Sequence, residues 1–125
     1  MNLFDYQELI DDKPMHIATV NSKNNPNLAV ASDVRVIEKD KIIISVNEMV
    51  HTEENIEYNP NVVLTAFDND YKGLRIFGKA NYYTDGKYYD FCMKTFFSNG
   101  EVTPFGATKP KGAIVVNVTK VEKLV

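Results

Sequence analysis

The sequence predicts a single, mainly β domain: a small barrel of six antiparallel strands with two or three peripheral helices. Three observations lead to this fold class. The chain has 125 residues, a length that suits one domain. Six segments show the apolar runs or alternating pattern typical of strands, and short turns join most of them. Closing six such strands into a barrel removes the exposed edges that an open sheet would leave.

The first predicted elements are a short amphipathic helix and two hairpins. The helix covers residues 3–12, with Asn2 as its cap and Pro14 beyond its end. Because "SKNNPN" and "EKDK" are rich in turn-forming residues, they are expected to reverse the chain between strands. The strands of the two hairpins are 15–21, 28–38 and 42–46.

The second half of the chain alternates strands with two more helices. A short helix over 52–59 follows the third strand directly and ends at Asn59-Pro60. A longer helix over 85–97 has Asp85 as its expected cap, and the Gly- and Pro-containing segment 98–111 is expected to be a loop. The remaining strands are 61–68, 74–84 and 113–124.

Composition excludes several classes of protein. The net charge is −3, from 14 basic and 17 acidic residues without a basic block, which argues against a nucleic-acid binder. No apolar run approaches the roughly 18 residues needed to span a bilayer, and the acidic N-terminus does not resemble a secretory signal. With one cysteine, Cys92, no intrachain disulfide can form. We therefore expect a cytoplasmic protein that does not act on membranes.

The sequence contains no self-sufficient catalytic motif. His16, His51 and Cys92 are too few for a four-ligand zinc site, so no metal is expected. HExxH, GxSxG, GxGxxG and phosphate-loop patterns are missing, and no catalytic residue can be named. Cys92 lies on the apolar side of its helix and is expected to be structural. Any redox or transfer chemistry would therefore come from a cofactor.

Three stretches carry a resemblance to a known family. They are the hairpin "ATVNSKNNPNLAVASDVRV", the segment "HTEENIEYNP" and the later "RIFGKANYYTDG". Within them, Asn55-Ile56-x-x-Asn59-Pro60 and Gly78-x-Ala80 are the most specific patterns. In their order and spacing they resemble the FMN-binding split-barrel family, the superfamily of pyridoxamine 5′-phosphate oxidase, and most of all its small FMN-binding proteins.

The resemblance runs from about residue 15 to 124 and implies one FMN-binding split-barrel domain over 1–125, a six-stranded antiparallel split β-barrel with peripheral helices. It also implies a homodimer with two FMN molecules at the subunit interface. Carried over by position, Arg35 and Thr52 would hold the phosphate, and His51 stands where close relatives carry a lysine. The expected neighbours of the flavin ring are Val30, Ala31, Ser32 and Asp33, with Lys109 and Lys111 of the late loop reaching the neighbouring protomer's flavin.

Elementary chemistry agrees with part of this placement. Backbone N–H groups at a helix start near Thr52 can face an anion, and the Arg35 guanidinium suits bidentate phosphate binding. The simpler alternatives stay open: Arg35 as a solvated strand residue, Lys109 and Lys111 as an exposed basic loop, and His51 as a surface histidine.

Three functions follow as alternatives. The first is an oxidoreductase that uses FMN to move electrons or hydride between a nicotinamide or reductase partner and an unknown small acceptor. The second is a non-enzymatic FMN electron carrier or flavin store. The third is a flavin-free ligand-binding barrel, suggested by His51 in place of lysine. Pyridoxamine-phosphate oxidation itself is not expected, because the chain is much shorter than those enzymes.

Overall fold

The computed structural model describes residues 1–70 and 72–124 and contains a curled antiparallel sheet with three helices. The predicted fold class is confirmed, with seven strands in place of six. The strands are β1 Met15–Val20, β2 Pro26–Ala31, β3 Val34–Glu38, β4 Lys41–Val46, β5 Asn61–Phe67, β6 Gly73–Tyr83 and β7 Gly112–Lys123. The helices are a 3-10 turn Leu3–Tyr6 that runs into α1 Gln7–Ile10, then α2 Thr52–Tyr58 and α3 Gly86–Phe96.

The strand order is β2-β1-β5-β6-β7-β4-β3, so β2 and β3 are the two terminal strands of the sheet. These strands are consecutive in the chain, and Ser32 and Asp33 alone connect them. The barrel is therefore split at the point where its two terminal strands meet through a two-residue link.

The expected single strand over 28–38 was wrong, because the chain changes partner at Ser32-Asp33. β2 pairs with β1 up to Ala31, whereas β3 pairs with β4 from Val34 onward. At the break the Asp33 carbonyl accepts a hydrogen bond from the Ser45 amide at 2.9 Å. The even-numbered side chains also change sides: Val30 is 59% exposed, while Val34 is fully buried.

The barrel interior holds most of the core, and α3 covers a second cluster outside it. Inward-facing residues of the strands form the main core together with Leu3 and Ile10 of the N-terminal segment. On the other face of β4, Ile43 packs with Cys92 of α3. Fully burying one such aliphatic side chain stabilises the fold by roughly 1.5–3 kcal/mol. The two clusters explain why five consecutive residues of β4 are buried.

Gly78 is required by a close approach between β6 and β7. The register of these strands shifts between Phe77 and Gly78, which is the mark of a β-bulge. A Cβ at Gly78 would lie 2.5 Å from the carbonyl oxygen of Asn117 and 2.7 Å from the Val116 side chain. The glycine of the Gly78-x-Ala80 pattern therefore has a structural cause that is independent of any ligand.

The helix ends agree with the sequence in part. The Asn2 cap is confirmed, since its Oδ1 accepts from the Phe4 amide at 3.0 Å, but the helix expected over 3–12 divides into a 3-10 turn and one α turn. α2 begins at Thr52 as predicted. Asp85 occupies the N-cap position of α3 as predicted. Its side chain makes no capping hydrogen bond, so the expected capping interaction was wrong.

Candidate functional site

Two cavities follow β2, one at each end of the strand. The first, called here the Phe105 cavity, has a volume of about 300 Å³ and lies at the β2 C-terminus. Its lining consists of Ala29, Val30, Ala31, Ser32, Ser45, Asn47, Glu48, Met49 and Phe105. The second, the His51 cavity, has a volume of about 370 Å³ and lies at the β2 N-terminus. Its lining consists of Asn21, Ser22, Pro26, Asn27, His51, Glu54, Asn55 and Tyr58.

A hydrogen-bond network fixes the polar wall of the Phe105 cavity. The Asn47 amide nitrogen donates to the Asp33 carboxylate at 2.9 Å, and the Ser45 hydroxyl donates to the Asn47 side-chain oxygen at 2.8 Å. Asn47 is thereby held from both ends of its amide. Asp33 thus supports this wall, whereas its sequence neighbours Ala31 and Ser32 line the cavity itself.

β2 offers backbone hydrogen-bonding groups in addition to side chains. As a terminal strand it pairs with β1 alone. In an antiparallel pair, alternate residues direct their N–H and C=O groups away from the partner strand. A planar ligand with both donors and acceptors on one edge can therefore pair with this strand edge, while the alanine side chains leave room for its ring.

The His51 cavity is polar and holds little positive charge. Thr52 is fully buried, and its hydroxyl accepts from the Asn27 side-chain amide at 3.5 Å. Below it, the buried Asn55 amide donates to the Thr19 hydroxyl at 3.0 Å. His51 is exposed, and its Nδ1 lies 3.9 Å from a carboxylate oxygen of Glu54. The lining thus carries the amide groups of Asn27 and Asn55 and the exposed imidazole of His51, while the Thr52 hydroxyl lies behind Asn27.

His51 has a left-handed backbone conformation, with φ of 75° and ψ of −23°. A residue with a Cβ is disfavoured there by roughly 1–2 kcal/mol. The conformation places His51 at the N-cap position of α2, although its side chain makes no capping hydrogen bond. The side chain instead lines the cavity beside Glu54.

The basic residues expected at the site are engaged elsewhere or exposed. Lys111 donates from Nζ to the Met49 carbonyl at 2.9 Å and lies 3.4 Å from a Glu53 carboxylate oxygen. The other Glu53 oxygen is buried without a partner among the described residues. Lys109 is exposed on the loop before β7.

Arg35 lies on β3, away from both β2 cavities. Its Nε donates to the Asp12 carboxylate at 3.0 Å, and its guanidinium stands 5.6 Å from the centre of the Phe96 ring. This hydrogen bond to the Asp12 carboxylate raises the pKa of the Arg35 guanidinium. Arg35 borders a separate groove that also includes Lys87, Tyr88 and Phe91.

The structure thus gathers some of the sequence-predicted residues and separates others. Val30, Ala31 and Ser32 share the Phe105 cavity, and His51 with neighbouring Thr52 marks the other end of β2. Sequence reasoning missed Ser45, Asn47, Glu48, Met49 and Phe105 in the first cavity. For Phe105 a signal existed, because an aromatic residue stands between Pro104 and Gly106 in a loop rich in turn-forming residues.

Other reactive groups contribute little to these cavities. Cys92 is buried in the cluster under α3, and burial raises the pKa of its thiol to about 12, so the thiol stays protonated at neutral pH. Residues 1–70 and 72–124 contain no group of three or more histidine, cysteine or carboxylate side chains suited to hold a metal ion. Within the same residues, no helix has the length and apolar character to cross a membrane.

Comparisons with known proteins identify related sequences and folds. The family model described as pyridoxamine 5′-phosphate oxidase matches residues 5–124. An uncharacterised protein of Methanocaldococcus jannaschii is 29% identical over 117 residues, which cover 92% of this chain and 75% of that protein.

Among solved structures, a tagged form of HupZ from Group A Streptococcus is 26% identical, with a TM-score of 0.84 over 99% of this chain and 94% of that one. An FMN-binding protein from Syntrophomonas wolfei is 21% identical, with a TM-score of 0.70 over 89% of this chain and 76% of that one. The second structure shares the fold.

Proposed function

Because this chain belongs to the pyridoxamine 5′-phosphate oxidase family, we propose that it is an FMN-binding flavoprotein and an oxidoreductase. In this proposal it transfers hydride or electrons between a nicotinamide or reductase partner and a small acceptor. The observation that carries the proposal is the pair of cavities at the two ends of β2. The Phe105 cavity combines small apolar side chains with a polar wall, and the His51 cavity is lined mainly by polar side chains.

The Phe105 cavity suits the flavin ring. Ala29, Ala31 and Met49 offer apolar contact, and the β2 backbone offers donors and acceptors to the polar edge of the ring. Bound FMN would supply the redox chemistry, since flavin accepts and donates hydride or single electrons. The chain itself would hold the ring, exclude water and set the ring's hydrogen bonds.

The His51 cavity suits the phosphate in its hydroxyl and amide groups. Thr52, Asn27 and His51 would form this end of the site, with the imidazole contributing one hydrogen bond. Charge is scarce, because Lys111 is held by the Met49 carbonyl and Glu53. α2 has only seven residues, so its dipole adds little. We therefore assign most of the affinity to the ring and less to the phosphate.

A homodimer completes the proposal. Strand register aligns Leu28, Ala18, Val63 and Phe77 in one apolar row across the outer face of β2, β1, β5 and β6. Val30, on the same face, also lines the Phe105 cavity. A second copy on this row would bring its own loop toward the flavin, which is the role we propose for Lys109 of the partner. Lys111, which was expected to share this role, is held by the Met49 carbonyl and Glu53 of its own protomer. The cytoplasmic location inferred from the sequence stays a prediction.

The first experiment is a titration of the purified protein with FMN, followed by visible absorption and flavin fluorescence. Protein stripped of any co-purified flavin is the starting material, and riboflavin serves as the matched ligand without phosphate. We expect saturable binding at one FMN per protomer and a dimer by light scattering. Unchanged spectra at micromolar FMN would contradict the flavin assignment and favour the flavin-free barrel, for which the shortage of cations at His51 is the motivating observation.

A second experiment separates the enzyme from the electron carrier. The FMN-loaded protein is mixed anaerobically with NADH or NADPH in a stopped-flow instrument. Bleaching of the flavin on the scale of catalytic turnover, roughly 1 s⁻¹ or faster, is expected of an oxidoreductase. Reduction far slower than this, together with rapid exchange of electrons with a second redox protein, would support the carrier instead.

A further inference from the structure

The loop between α3 and β7 presents an unusually exposed aromatic ring beside the Phe105 cavity. The Phe105 side chain is 84% exposed, more than any other large hydrophobic side chain within residues 1–70 and 72–124. It nevertheless forms part of the cavity lining, together with Ala29 and Ala31. An exposed phenyl ring leaves apolar surface in water, and here that surface borders the cavity.

A set of local hydrogen bonds fixes the backbone of the loop that carries this ring. The Thr103 amide donates to the Ala107 carbonyl, the Gly106 amide to the Thr103 carbonyl, and the Ala107 amide to the Thr103 hydroxyl, each at 2.9 Å. Gly106 has φ of 93°, a conformation that glycine adopts without strain. Residues 103–107 thus form a compact loop with Phe105 near its tip.

The loop is also tied to two other lining residues of the cavity. The Thr103 hydroxyl donates to the Glu48 carboxylate, and Glu48 itself lines the cavity. At the base of the loop, Lys111 binds the carbonyl of Met49, which is another lining residue. These two ties fasten the loop to the segment after β4, so the position of Phe105 depends on contacts at both of its ends.

We propose that Phe105 is an aromatic cover over the flavin ring that shields the ring from solvent and limits access to it. This inference rests on the proposed function. A planar π-system has a large face that an aromatic side chain can cover by offset stacking, and the apolar alanines support the opposite side. The cover is held ready by the loop's own hydrogen bonds, so little ordering is needed when the ligand binds.

The test uses Phe105→Ala, with Val102→Ala as the matched control and Phe105→Tyr as the conservative replacement. Val102 lies in the same loop and is 60% exposed but does not belong to the cavity lining. Because both side chains are exposed, neither substitution removes core packing, and thermal unfolding verifies this. The readouts are iodide quenching of bound-FMN fluorescence and the rate of FMN release after dilution.

We expect Phe105→Ala to raise the iodide quenching constant and to speed FMN release by roughly three- to tenfold, the loss typical of one aromatic contact. Val102→Ala and Phe105→Tyr should behave as the wild type. If all three variants and the wild type gave the same iodide quenching constant and the same rate of FMN release, the proposal that Phe105 covers the flavin ring would be wrong. If the wild-type protein binds no FMN, the proposed function fails first, and the two failures are therefore distinguishable.

Discussion

The two terminal strands of the sheet, β2 and β3, differ in how their outer edges are covered. Along β3, the N-terminal segment seals the edge: the Asp12 amide donates to the Val34 carbonyl at 2.9 Å, and the Val36 amide donates to the Asp11 carboxylate at 2.8 Å. Along β2, the corresponding edge borders two cavities. An unsealed strand edge can pair with other chains. Since this fold seals the edge of β3 and leaves the edge of β2 open, we infer that the open edge serves a ligand.

Arg35 belongs to the sealed edge. Its bond to Asp12 and its position over Phe96 join the N-terminal segment, β3 and α3. The residue that resembles a phosphate ligand by position in the sequence therefore has a structural partner in the protein. We therefore propose that β2 binds the ligand and that β3 stabilises the fold, and each role can be tested separately.

The largest expected effect comes from filling the Phe105 cavity. Ala29→Phe places a phenyl group where the flavin ring is proposed to lie, and we expect FMN affinity to fall by about a hundredfold, because an occupied pocket cannot bury the ligand. Lys94→Phe is the control, since Lys94 is exposed on α3 and lines neither cavity. Fluorescence titration measures both. If Ala29→Phe bound FMN as tightly as the wild type, the proposal that the flavin ring lies along β2 would be wrong.

The second prediction concerns the sealed edge. In Asp11→Ala the Val36 amide loses its acceptor, and we expect the free energy of unfolding to fall by about 1–3 kcal/mol. FMN affinity should not change. Urea denaturation gives the stability, with Glu8→Ala as the control for removing one exposed carboxylate from the same segment. A loss of FMN affinity that exceeds the loss in the control would show that the two edges are not independent.

The third prediction concerns the phosphate end of β2. Thr52→Val keeps the shape of the buried side chain and removes its hydroxyl, so FMN affinity should fall by about tenfold, the value of one hydrogen bond to a charged group. Affinity for riboflavin, which lacks the phosphate, should stay the same. Thr84→Val, at an exposed threonine after β6, is the control. Equal losses of affinity for FMN and riboflavin would show that Thr52 does not bind the phosphate.

The smallest effect is expected at Arg35. The side chains of Arg35 and Asp12 are 37% and 56% exposed, so solvent screens their ion pair and a double-mutant cycle should give a coupling below about 1 kcal/mol. FMN affinity of Arg35→Ala should equal that of the wild type. A tenfold loss of FMN affinity, absent for riboflavin, would instead identify Arg35 as a phosphate ligand and reverse the roles of the two edges.

The sequence predicted the local elements well because each depends on neighbouring residues. The alternation in 15–21, the Asn2 cap and the start of α2 at Thr52 are all decided within one turn or strand. The break at Ser32-Asp33 was not recognised, because apolar residues keep the same period of two on both sides of it. Periodicity reports which residues share a face and not which face is the inner one.

The candidate site was less predictable, because distant segments build it. Val30, Ala31 and Ser32 are consecutive in the chain and were expected to lie together. Met49 and Phe105 join them only because β4 and β7 are adjacent in the sheet and bring their flanking loops to the same end. The bond between Arg35 and Asp12 joins residues 23 positions apart, and no local pattern announced it.

The measurement that tests the edge assignment most directly is amide hydrogen exchange, followed by mass spectrometry with and without saturating FMN. If the flavin lies along β2, exchange should slow in segments 26–33 and 47–55, where the strand edge and the cavity walls lie. Segments 1–12 and 34–38 should be unchanged, since their edge contacts are already made within the protein. Slower exchange in 34–38 with none in 26–33 would contradict the assignment.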